Sequence, residues 1–200
     1  MNISGESFDY GPWRWLPAWD PSFTAAYFDH SGLYAFGRQP EALHWNCGQL
    51  GVALRLLVDA PPLIAALERF GPLYQAALAR QFLWRLGVQS QGFDADYALI
   101  AQAEQAMRES GLSPDAFFHR QRYGRHAKGD FGEAIKGFVP AGEEHDLWQE
   151  GSPPTLVVDE VETIWSAIDQ RDDWAPLGET VAAIRRLGAA LGPPPVNGLG

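Results

Sequence analysis

Asp9-Tyr10-Gly11-Pro12 is the stretch of this 200-residue sequence whose residue types could do chemistry. A carboxylate that follows a short extended run, and is followed by an aromatic and a glycine, is presented where the chain turns sharply. The glycine permits the backbone angle and the aromatic wedges into the core to fix it. In kinase-type phosphate chemistry an Asp-Phe-Gly does this, its Asp holding a Mg²⁺ that bridges nucleotide phosphates. The tripeptide alone leaves a plainer reading open, an acid in a Gly-Pro turn.

The other reactive residue types are less suggestive. His119 and His126 stand seven apart, but Gly124 interrupts the helix face that would join them, so a zinc reading is weak. Asp29-His30 is an adjacent pair, and neighbouring side chains rarely face one another; a hydrogen-bonded structural role is the expectation. His44 is placed on a helix surface or between helices, and the single Cys47 is read as a buried inert thiol with no partner for a disulfide. There is no Gly-x-x-x-x-Gly-Lys-Ser/Thr loop, no Gly-x-Gly-x-x-Gly, no His-Glu-x-x-His and no Gly-x-Ser-x-Gly. Twenty-five acids against fifteen bases give a net charge of −10, which argues against nucleic-acid binding. The basic stretch His119–Lys128 is read as a helix end and loop. No apolar run approaches the ~20 residues of a membrane span, and Met1–Glu6 lacks the basic start and apolar stretch of a signal peptide. A soluble cytoplasmic protein is expected.

Taken with its neighbours, the Asp9 stretch says more. Ser4-Gly5-Glu6-Ser7-Phe8-Asp9-Tyr10-Gly11-Pro12, Asp20-Pro21-Ser22-Phe23, Asp29-His30, Tyr34-Ala35-Phe36-Gly37-Arg38-Gln39-Pro40 and Trp45-Asn46 follow in one order. That order closely resembles the selenoprotein O family (SelO, also YdiU), densely over residues 3–58 and loosely beyond. The resemblance implies a protein-kinase-like fold that moves AMP from ATP onto Ser, Thr or Tyr hydroxyls of proteins, with the nucleotide inverted relative to kinases. It implies that Asp9 binds the metal, Mg²⁺ or Mn²⁺, and through it ATP, with Tyr10 and Gly11 as structural neighbours. Glu6 is too near Asp9 in sequence to be placed as a second ligand.

The family's base Asp and a second metal ligand, Asn, form a pair immediately before the position of Met1. Its Gly-rich loop, Lys and phosphate-binding arginines belong further upstream. The resemblance therefore implies the C-terminal part of a longer protein, beginning at an internal methionine, with no catalytic base of its own and negligible transfer by itself. Ala25 stands where some members carry a redox cysteine, so redox control is not implied. Two alternatives are a phosphate-transferring kinase and a non-catalytic helical interaction module.

The elements that must position Asp9 fall into three stretches. Residues 1–39 carry an irregular segment with a short extended piece near Ile3–Phe8. Three Trp, three Tyr and four Phe lie in the first forty residues, and Pro12, Pro17, Pro21 and Pro40 break any long helix there. Trp13, Trp15, Trp19, Phe23, Tyr27 and Phe28 are expected as wedges anchoring it. Residues 40–192 read as a helical lobe. Leu43, Cys47, Leu50, Leu54 and Leu57 share a face of a helix that begins at Pro40. Further helices are expected at Pro62–Phe70, Leu73–Leu86, Tyr97–Ser110, after the Ser113-Pro114 cap, at Val158–Asp169 and at Leu177–Leu191. Residues 124–155 are expected to be mostly loop, with a turn of helix at Gly132–Lys136. Residues 193–200 read as a disordered tail. The fold class expected is mainly α: the C-terminal helical lobe of a protein-kinase-like fold behind an irregular N-terminal segment.

Overall fold

Leu99, Ile100, Ala103 and Met107 recur at helical spacing and all four are buried, so the core forms where this stripe meets its neighbours. The computed structural model describes residues 14–142 and 144–195. Among them the α-helices run in order α1 (Gln39–Leu54), α2 (Ala60–Glu68), α3 (Phe70–Leu86), α4 (Phe93–Ser110), α5 (Pro114–Gln121), α6 (Gly129–Lys136), α7 (Val158–Arg171) and α8 (Ala175–Leu191). Short 3-10 turns lie at Phe36–Arg38, Arg122–Gly124 and Asp146–Gln149. Val88 and Pro140 form an isolated antiparallel bridge. The protein is mainly α, as expected, and no helix among the described residues is long and apolar enough to cross a membrane.

The chain divides into two compact units, with the boundary inside α3 at Ala76–Ala77; residues 15–19 belong to the second unit. The second holds the core. Phe82, Leu83 and Leu86 of α3, the α4 stripe, Phe117 and Phe118 of α5, and Phe131 and Ile135 of α6 pack as one cluster. Phe117, Leu86 and Met107 are wholly excluded from solvent, each worth ~1.5–3 kcal/mol relative to exposure. Edge-to-face contact between Phe82 and Phe118, 4.9 Å between centroids, locks α3 to α5. Trp19 packs against this cluster, as the wedge reading expected.

Local signals explain most boundaries. Ser113 Oγ accepts from Ala116 N, and Pro114 occupies the first turn, so α5 starts where the cap predicted. The α3 terminus closes as a Schellman turn: Gly87 is left-handed (φ +70°), its N–H donates to Trp84 O, and Val88 N donates to Leu83 O. At α7, Glu160 accepts from Thr155 N, Thr155 Oγ1 and Leu156 N, a carboxylate reaching back over the helix start.

Three expectations are corrected. The helix expected at Leu73–Leu86 begins at Phe70 instead, and Gly71-Pro72 enter its first turn, where a proline's missing N–H forfeits no intrahelical bond. Residues 124–155 are mostly loop as expected, but the helix there, α6, begins at Gly129 rather than Gly132, because Phe131 and Ile135 at i, i+4 both reach the core. The aromatic wedges of the irregular segment are only partly so: Tyr27 is 87% exposed and Phe28 55%, stacked edge-to-face on each other at 5.3 Å. Trp15 is exposed as well, while Phe23 is half-buried. The extended piece near Ile3–Phe8, Trp13 and the last five residues lie outside the described residues. The Pro195 carbonyl accepts from Gln81 Nε2.

Candidate functional site

Asp9, with Glu6, Tyr10 and Gly11, lies outside the described residues. The motif blocks that follow it are described, and they build a scaffold in the first unit. Asp20 Oδ1 accepts from Ser22 N at 2.8 Å and Ser22 Oγ at 2.6 Å, bonds that hold its carboxyl below the ordinary carboxylate value. Two backbone bonds then zip the block to the later one: Phe36 N donates to Phe23 O and Gly37 N to Pro21 O, each 2.8 Å. Gly37 has to be glycine for this approach, since a Cβ would come 2.8 Å from Pro21 Cβ and 3.0 Å from Pro21 O.

Asp29 organises the turn between the two blocks. Its carboxylate accepts from Leu33 N at 2.8 Å, Tyr34 N at 2.7 Å and Ser31 Oγ at 3.3 Å. The Tyr34 amide is the largest of the influences that lower its pKa. The Asp29-His30 pair is therefore the structural feature that adjacency implied. Arg38 grips Glu41 through two 3.0 Å bonds at the start of α1, and Asn46 Nδ2 donates to Ala42 O inside the helix. Both tie loop to helix or helix to itself. His44 stacks on Phe70 at 5.0 Å, the interhelical role expected, and Cys47 is half-buried rather than buried.

The second unit gathers the histidine and arginines of the basic stretch. Arg122 is buried, 3% exposed, and not part of a surface loop. Its Nη1 donates to Trp84 O at 2.9 Å and Arg85 O at 3.3 Å, carbonyls in the last turn at the negative end of α3. The guanidinium lies between Trp148 (4.4 Å) and Tyr123 (4.9 Å). His119 Nε2 meets Leu147 O at 3.2 Å, and burial is the main cause lowering its pKa below 6.5. Sequence reading missed this cluster because charge composition does not distinguish a buried arginine from an exposed one. The available signal was Gly87, which marks a helix end in need of a donor.

A shallow depression, with room for little more than a water molecule, lies between Arg85, Asp115, Phe118, His119, Trp148, Leu187 and Leu191. Arg85 is committed to Asp115 at 2.6 Å and lies 4.9 Å over Phe118, so its charge is matched within the wall. The depression thus lacks the excess positive charge a triphosphate needs. Among the described residues no three His, Cys, Asp or Glu side chains are grouped to hold a metal ion, and His119 and His126 form no zinc site. The scaffold around residues 20–46 positions backbone and contains no reactive constellation of its own.

Comparison with known proteins decides the family. The family model described as Protein adenylyltransferase SelO matches residues 1–150. The chain belongs to the SelO family. Relatives named Protein nucleotidyltransferase YdiU include that of Gloeobacter violaceus, 29% identical over 212 residues, covering 93% of this chain and 44% of the relative. That of Trichodesmium erythraeum is 30% identical over 211 residues, with 92% and 44% covered. That of Synechococcus elongatus is 41% identical over 124 residues, 61% of this chain and 25% of the relative. The chain spans less than half the length of these SelO-family relatives. The family model takes in Asp9-Tyr10-Gly11 and the whole 20–46 scaffold, and ends before α7.

Proposed function

We propose that this chain supplies the metal-binding Asp9 and the helical lobe of a protein-kinase-like nucleotidyltransferase that transfers AMP from ATP to Ser, Thr or Tyr hydroxyls of proteins. The observation that carries the reading is the SelO match across residues 1–150, which spans Asp9 and the blocks that scaffold the segment after it. In the reaction a substrate hydroxyl oxygen bonds to the α-phosphorus, the α–β phosphoanhydride bond breaks, pyrophosphate leaves, and the hydroxyl proton passes to a base. Mg²⁺ or Mn²⁺, when bound, neutralises phosphate charge. Asp9 would hold that ion, and the backbone bonds between Pro21–Phe23 and Phe36–Gly37 fix the blocks that follow it in sequence.

The chain by itself transfers AMP negligibly, because its 200 residues contain no glycine-rich phosphate loop and positioning and charge neutralisation are the main catalytic contributions to this chemistry. The test places this chain in the matching region of the Gloeobacter relative and supplies ATP labelled in either the α- or the γ-phosphate. Transfer of α-label only supports the reading. Transfer of γ-label makes the protein a kinase and overturns it.

A further inference from the structure

We draw no further inference here: the strongest candidate, the side-chain cluster of Arg122, Arg125 and Trp148 beyond the end of α3, whose buried Arg122 Nε, Arg125 Nη1 and Trp148 Nε1 have no hydrogen-bond partner among the described residues, carries nothing because nothing in the structure brings these three donors to one cavity and its two guanidiniums already serve the last α3 carbonyls and Glu144.

Discussion

Single positions in this protein carry constraints that residue type alone does not announce. Gly87 combines two of them: a left-handed φ of +70° and a neighbour, Tyr123 Cε1, that an added Cβ would approach to 2.5 Å. Gly87→Ala should therefore destabilise the fold by about 2–3 kcal/mol, since backbone strain and overpacking act together, and the urea midpoint would report it. His119 makes a different prediction. Burial lowers its pKa below 6.5, so below that value the unfolded chain binds a proton that the folded chain resists. Its contribution to stability is present above pH 6.5 and is lost as pH falls through the folded value. Melting temperature should drop on acidification over that window, and His119→Gln should flatten the drop. Gly87 was legible in the sequence as a helix stop, but Tyr123 above it was not, because the two meet only after α5 has turned the chain back. Asp29 was legible as structural on the argument that adjacent side chains diverge, yet its partners Leu33, Tyr34 and Ser31 needed the turn to be seen.

Elements succeed or fail by how they finish. α3 ends with its last carbonyls turned towards Arg122, a cation at the negative end of a helix dipole. Arg122→Met should cost about 1–3 kcal/mol, taking from Arg85 O its donor and leaving Trp84 O with the Gly87 amide alone, and Arg122→Lys should recover only part because one ammonium cannot also stack on Trp148 and Tyr123. Denaturant titrations of the three proteins decide this. α4 and α5 could be read from periodicity and a cap, since burial and capping here are local patterns. Of α6 only the turn at Gly132–Lys136 could, because glycine and charge around it mask its start and its two-residue contact with the core. The start of α3 is hidden in a similar way: Gly71-Pro72 is a stop signal in a helix interior and a tolerated pair in a first turn.

At the scale of the whole molecule the two units differ in kind. The second has a core that its own stripes predict, while the first has a hydrogen-bonded scaffold and a half-exposed pair of helices. The motif blocks between residues 20 and 46 mark the family in sequence. Their visible work is to fasten residues 20–41 to one another, through Asp20, Gly37, Asp29 and Arg38. The proposed chemistry rests on Asp9, a role that the resemblance alone implies because one carboxylate has no spacing to betray it. The most direct measurement is transfer of α-labelled AMP by the Gloeobacter relative carrying this chain in its matching region, with Asp9 intact and as Asp9→Ala. Metal-dependent labelling is expected, falling at least about a hundred-fold in Asp9→Ala with an unchanged melting temperature. Equal labelling by the two proteins would contradict it.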